Sequence, residues 1–159
     1  LRKRIGYIPQ HVEYNPELPF TVRDIVSMGR TGVKPLLKRL DREDLRLTDH
    51  WIERLDLKRL AEQPFRTLSG GERQKTLICR AMVQKPEILI LDEPGNNLDI
   101  NWKKTISGLI SHLHRQYNIT ILMVSHESSL ICPESVRTVN IHSGRLSAES
   151  HEPEKKGGS

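Results

Sequence analysis

Apolar positions in this chain fall into two patterns, and each predicts a different element. Short continuous runs at Ile88–Leu91 and Ile121–Val124 are too brief for helices and read as buried strands, the second starting at Ile119. Residues 4–8 (Arg4-Ile5-Gly6-Tyr7-Ile8) read as a third strand, ended by Pro9-Gln10. A loop with Pro16 and Pro19 follows over His11–Pro19. Elsewhere the apolar residues recur at three-four spacing. One helix starts after Thr21, a plausible N-cap with Asp24 at the third helical position, before Gly29, Gly32 and Pro35 break the pattern. Asp41 caps a second helix, in which Leu45, Thr48, Ile52 and Leu55 define an apolar face. A third spans Gly70 to Gln84 and stops ahead of Pro86. A fourth spans Ile100–Gln116, with Trp102, Ile106, Leu109, Ile110 and Leu113 on one side.

Residues 127–132 suit a short helix before Pro133. Val136–Ile141 suits a strand that Ser143-Gly144 turns into Arg145-Leu146. From Ser147 onward the chain is polar, and this tail is expected to be disordered. Strands alternating with helices predict an α/β fold whose sheet is largely parallel.

Composition adds bounds. A length of 159 residues suits one core with at most a small insert. No apolar run approaches the length that crosses a bilayer. The net charge of +5 is spread along the chain and aromatic content is 4%, so nucleic acid is not the expected partner. Cys79 and Cys132 have neither disulfide-framework nor metal-ligand spacing and read as packing residues, as a reducing compartment allows. His112 and His114 lie two apart on a helix and do not face each other, so they read as solvated side chains.

Two short segments carry chemistry. Ile88–Leu91 ends in Asp92-Glu93-Pro94. A carboxylate at the end of a buried strand is costly unless a cation or partner holds it. In phosphoryl transfer such an Asp supports Mg²⁺, and a second carboxylate next to it can act as general base on the attacking water. The other segment is Leu68-Ser69-Gly70-Gly71-Glu72, where a helix opens. Glycines allow close backbone approach to a phosphate, and a helix N-terminus adds free N–H groups.

In this order and spacing, the segments resemble the C-terminal two thirds of the nucleotide-binding subunits of ABC transporters. Leu68–Glu72 resembles the signature motif and Ile88–Glu93 resembles Walker B. Gly95-Asn96-Asn97-Leu98-Asp99 sits where the D-loop belongs, Val124-Ser125-His126 resembles the switch-histidine loop, and Tyr7-Ile8-Pro9-Gln10 resembles the Q-loop. The resemblance implies a P-loop NTPase (RecA-like) core lacking its N-terminal part, with an inserted ABC α-helical subdomain. Residues 1–12 would end the first core segment, 13–66 would form the helical subdomain, 67–147 the catalytic core, and 148–159 the tail.

It also implies roles. Asp92 would hold Mg²⁺, and Glu93 would be the catalytic base. Gln10 would contact Mg²⁺ and the attacking water. His126 would contact the γ-phosphate. Ser69, Gly70 and Gly71 would touch ATP held by the opposite subunit, and Asp99 would work across the dimer interface while capping the following helix. Gly95 and Glu127 depart from the residues common at their positions without removing a needed group.

A larger departure is that no Gly-x-x-x-x-Gly-Lys-Ser/Thr phosphate loop occurs in the 159 residues. Lys75-Thr76 and Lys104-Thr105 lack preceding glycines and read as helix-surface residues. The chain begins at Leu1. The expectation is a truncated subunit, inactive alone, whose phosphate loop and adenine-stacking aromatic lie upstream.

Residues 21–30 (Thr21-Val22-Arg23-Asp24-Ile25-Val26-Ser27-Met28-Gly29-Arg30) resemble importer ATPases for metals and metal chelates: zinc or manganese, iron-siderophore, haem or cobalamin. That implies ATP and Mg²⁺ as cofactors, with a second copy of the subunit and transmembrane permease subunits as partners. A substrate-binding protein would engage indirectly, and the location would be peripheral, at the cytoplasmic face of the cell membrane. The alternatives are a soluble ABC ATPase acting on nucleic acid or ribosomes, which would carry tandem cassettes, coiled coils or zinc modules, and a non-catalytic regulatory fragment.

Overall fold

Capping chemistry sets where the helices begin. The computed structural model describes residues 5–10, 18–35, 38–96, 98–126 and 137–150. Helix α1 (Val22–Thr31) starts at Thr21, whose side chain accepts from the Asp24 N–H while Asp24 reaches back to the Thr21 N–H. Asp41 and Asp44 make the same reciprocal box for α2 (Arg42–Arg54), and Ser69 and Glu72 make it for α3 (Gly70–Met82). Each box satisfies donors that the first helical turn leaves without partners. Helix α4 (Ile100–Tyr117) is capped by Asp99 and ends at Asn118 in the left-handed conformation. Helices α1, α2 and α4 thus start where their caps predict, and α3 starts at Gly70 as expected.

Three strands, β1 (Ile5–Ile8), β2 (Ile88–Asp92) and β3 (Thr120–Val124), form a parallel sheet in the order β1-β2-β3. Ile8 pairs with Leu91, and Asp92 with Val124. One face carries Gly6, Ile8, Leu89, Leu91, Ile121 and Met123 into the core. Gly6 lies close beneath α3, where an added Cβ would stand 3.3 Å from that of Ala81. Ile106, Ile110 and Leu113 of α4 belong to the same core.

The runs read as buried strands are buried on one face: Leu89 and Leu91 lie in the core, whereas Ile88 and Leu122 are exposed. Among the described residues nothing covers the second face, and its row Tyr7, Ile90, Leu122 leaves Tyr7 54% and Leu122 56% exposed, with Val124 at 51%. A separate antiparallel hairpin pairs β4 (Arg137–His142) with β5 (Arg145–Ser150). Ser143 and Gly144, at φ 49° and 75°, make its turn. The polar stretch after Ser147 therefore continues as a strand to Ser150, paired with β4 through its backbone. The short helix expected at residues 127–132 lies outside the described residues, as does Cys132.

Residues between β1 and α3 fold back on themselves. The Val22 N–H donates to the Gln63 carbonyl at 3.1 Å, and the Phe65 N–H donates to Phe20 at 2.8 Å. This clamp brings the start of α1 beside the segment that leads into Ser69. Helices α1 and α3 cross closely at Gly29. A Cβ there would overlap the Arg80 carbonyl oxygen and stand 2.6 Å from Val83 Cγ2.

The buried face of α2 also departs from its predicted pattern. Leu45 is 45% exposed, while Asp44, Thr48, Trp51 and Ile52 are buried. The helix is turned by its ion pairs. Asp44 accepts from Arg30 Nε at 2.9 Å and pairs with Lys34 Nζ, and Arg30 also bonds the Val83 carbonyl at 2.9 Å. Burial alone would raise the Asp44 carboxyl. The Lys34 ammonium, the Asp41 N–H and the Arg30 guanidinium outweigh it and hold the group well below its ordinary 3.8. A depressed native value means the pairing stabilises fully above the unfolded value and is lost as pH falls below it. Thermal denaturation should therefore show stability falling as pH drops below 3.8. Asp44→Asn should flatten that fall and cost about 3 kcal/mol at neutral pH, because two cations lose their buried partner. An equally steep acid limb in the variant would contradict this role for Asp44.

Candidate functional site

The parallel register places the predicted strand-end residues at one edge. Gln10 lies two residues beyond Ile8, Glu93 follows Asp92, and His126 lies two beyond Val124. The carboxyl ends of parallel strands are where α/β sheets hold ligands.

Glu93 is the centre of this edge. Its backbone is left-handed, at φ 48°. A non-glycine residue there costs on the order of 1–3 kcal/mol and persists only when its surroundings impose it. Here the Glu93 N–H donates to the Val124 carbonyl at 2.9 Å, and its own carbonyl accepts from Asn96 at 3.0 Å. The turn thus holds the carboxylate inward, with its side chain 10% exposed. His126 meets it twice. The His126 backbone N–H donates to Oε2 at 3.4 Å, and its Nε2 stands 3.2 Å from Oε1. Despite this proximity, buried Oε1 has no hydrogen-bond donor among the described residues. An unsatisfied buried acceptor costs about 1–3 kcal/mol, and it fits a site that receives a polar ligand or water.

Asp92 is half-buried beside it. The Tyr7 hydroxyl donates to Asp92 Oδ2 at 3.3 Å. The Tyr7 proton is held more tightly than usual, through desolvation first and then through the charge and hydrogen bond of Asp92. The parallel register, with Tyr7 opposite Ile90, places the ring within reach of Asp92. Sequence reasoning included Tyr7 in a motif but gave it no role, and only strand register could have revealed the contact. Gln10 is exposed at the same edge.

The glycine segment stands at the start of α3. Ser69 Oγ donates to Glu72 Oε2 at 2.7 Å, and the Ser69 N–H reaches the same oxygen at 2.8 Å. The hydroxyl and then the backbone N–H hold the Glu72 carboxyl below its ordinary value. Ser69's single hydroxyl proton is therefore engaged in the cap. Gly70 is exposed. Gly71 is buried, and a Cβ on it would overlap the indole of Trp102, from the first turn of α4.

Asp99, exposed, accepts from the Asn101 and Trp102 N–H groups at 2.9 and 3.0 Å. Asn97, between the two acidic segments, lies outside the described residues. Asp92, Glu93 and His126 are thus brought together, whereas Ser69, Gly70 and Gly71 make their described contacts with Glu72 and Trp102.

Three other expectations resolve here. Thr76 is not a surface residue: it is fully buried, and its hydroxyl donates to the Glu72 carbonyl at 2.8 Å. His114 Nδ1 lies 2.8 Å from the Ile119 carbonyl oxygen, while His112 is exposed. Cys79 is buried, its thiol donating to the Trp51 carbonyl at 3.2 Å with its ionisation suppressed by burial. A cleft lined by Leu47, Trp51, Met82, Pro86, Tyr117 and Ile119 opens at the amino ends of β2 and β3, the edge opposite the carboxylates.

Comparison with known proteins shows the family. A family described as ABC transporter matches residues 1–96. An uncharacterized ABC transporter ATP-binding protein of Methanocaldococcus jannaschii is 37% identical over 94% of this chain and 57% of its own length. A zinc import ATP-binding protein of Photorhabdus laumondii is 34% identical over 95% of this chain and 56% of its own. An ABC transporter assigned to the metal-chelate type, solved in an inward-facing conformation, superposes with a TM-score of 0.86 at 26% identity, covering 93% of this chain and 58% of that one. The chain therefore spans about half the length of the curated relatives it matches.

Proposed function

The chain belongs to the ABC transporter family, and on that premise we propose that it is the part of an ATP-hydrolysing subunit that bears the Walker B carboxylates and the signature. The subunit would drive import of a metal ion or metal chelate. The observation that carries the catalytic reading is the buried Glu93 Oε1, without a hydrogen-bond donor among the described residues, at the strand edge beside Asp92. Two adjacent carboxylates, one half-buried and one nine-tenths buried, suit a cation and a water.

Mg²⁺ bound with ATP would neutralise charge developing on the transferred phosphoryl group. Asp92 is the residue that would hold it, with Gln10 at the same edge. Glu93 Oε1 would take the proton of the attacking water as a general base. His126 would keep Glu93 oriented through its N–H and present its imidazole, 92% exposed, toward the γ-phosphate. Ser69 would transfer its hydroxyl hydrogen bond from Glu72 to a phosphate held by a second copy of the subunit, while Gly70 and Gly71 offer backbone N–H groups and Asp99 faces the shared interface.

Relatives named for zinc import and metal transport support the cargo class. They also support a reading in which transmembrane permease subunits, with a substrate-binding protein beyond them, are the partners and the cytoplasmic membrane face is the location. No helix among the described residues is long and apolar enough to cross a membrane.

The test is ATP turnover by the subunit that carries this chain, with its permease partners. His126→Ala should lower kcat at least tenfold and leave ATP affinity nearly unchanged, because the imidazole acts on the reacting phosphate. Turnover equal to wild type would remove His126 from the site.

A further inference from the structure

Helix α4 meets the glycine segment of α3 at Trp102. Asp99 Oδ1 caps α4 by accepting from the Trp102 N–H at 3.0 Å. The Trp102 indole then lies flat against Gly71, so close that a Cβ would overlap the ring. Lys75, one turn along the same face of α3, places its ammonium 5.5 Å from the ring centroid. The Arg73 N–H donates to the Ser69 carbonyl at 2.9 Å, which closes the first turn of α3 directly beneath the indole.

We propose that Trp102 is a positioning residue that makes the Asp99 end of α4 and the Ser69-Gly70-Gly71 end of α3 one mechanical unit. A disturbance at Asp99 passes through the Trp102 backbone to its ring, and from the ring to the backbone at Gly71. The absence of a side chain at residue 71 is what lets a rigid plane bear on the peptide itself. The ring cannot lift without uncovering Gly71 and losing Lys75. The functional meaning rests on the reading of these two segments as nucleotide-contacting elements. The coupling itself is a property of the packing, and it requires no nucleotide. Spatial adjacency alone does not establish coupling, so the test has to measure it directly.

Amide hydrogen exchange in the subunit that carries this chain does so, using wild type, Asp99→Ala, Trp102→Ala and the double variant. Asp99→Ala removes a cap, which speeds exchange in the first turn of α4 about fivefold. The expected result is that Glu72 and Arg73 exchange about fivefold faster as well, while Ile78 and Cys79, deep in α3, do not change. In the Trp102→Ala background, Asp99→Ala should leave Glu72 and Arg73 unmoved. Trp102→Leu takes the place of the alanine variant if that chain does not fold, and Trp102→Phe should restore the coupling.

Three outcomes overturn the proposal: acceleration confined to α4, an equal effect with and without Trp102, or acceleration of Ile78 and Cys79 to the same degree. Because no nucleotide enters this measurement, its failure leaves the ATPase reading intact. Conversely, loss of that reading leaves the exchange result standing.

Discussion

Glu93→Gln should lower steady-state ATP turnover of the subunit that carries this chain by about a thousandfold, the middle of the range for loss of a general base. ATP affinity should stay within about twofold. The substitution keeps the shape and volume of the side chain, and it keeps an oxygen for the His126 N–H at 3.4 Å. The Val124 hydrogen bond at 2.9 Å that imposes the left-handed backbone is untouched, since it is made by main chain. What disappears is the charge on a nearly buried group, and with it the capacity to take a proton from water. Binding is then separated from chemistry, and a closed ATP-bound dimer should accumulate. Turnover measured beside size-exclusion chromatography with ATP reads both effects. Unchanged turnover would remove Glu93 from the role of base, and lost turnover with lost ATP binding would make it a structural residue.

Gly29→Ala should destabilise the fold by about 3 kcal/mol, at the upper end for an overpacked core position. Its Cβ would collide with the Arg80 carbonyl oxygen. That atom belongs to helix backbone and cannot rotate away as a side-chain tip could. Relief requires α1 and α3 to separate, and this also stretches the neighbouring Arg30 bridges to Asp44 and to the Val83 carbonyl, each 2.9 Å long. A shift in thermal midpoint of roughly 10 °C follows for a chain of this size. Gly32→Ala is the control: its nearest neighbour would be 3.8 Å from the new Cβ and its backbone is already helical. Removing a glycine there should be neutral or stabilising by about 0.5 kcal/mol. Equal effects at the two positions would contradict the close-crossing argument.

Features fixed by neighbours in sequence were legible before the fold was known. Thr21, Asp41 and Asp99 cap helices because their oxygens bond N–H groups two or three residues away. The strand ending in Asp92-Glu93 was legible because a run of aliphatics closed by carboxylates has few other uses. Features that depend on distant residues were not. Leu45 had the right spacing to face inward, yet α2 turns Asp44 inward because Arg30 and Lys34 wait there from another part of the chain. Thr76 read as polar and exposed, yet it is fully buried, and its hydroxyl is satisfied locally by the Glu72 carbonyl one turn back. Gly71 read as a phosphate-approach glycine, and its second reason, Trp102, lies 31 positions away (102 − 71). Glu93's left-handed backbone carries no sequence signal at all, since the residue is not glycine.

The sheet face left open among the described residues sets a practical rule for handling the 159-residue chain. Tyr7, Leu122 and Val124 present one half-exposed ring and two half-exposed branched chains on a hydrogen-bonded support. Such a surface is adhesive to any other apolar surface, including its own copy. The charge of +5 is spread around the molecule and opposes this only at long range, where salt screens it. Low protein concentration and low ionic strength are the conditions under which this chain's own folding, apart from its stickiness, can be measured.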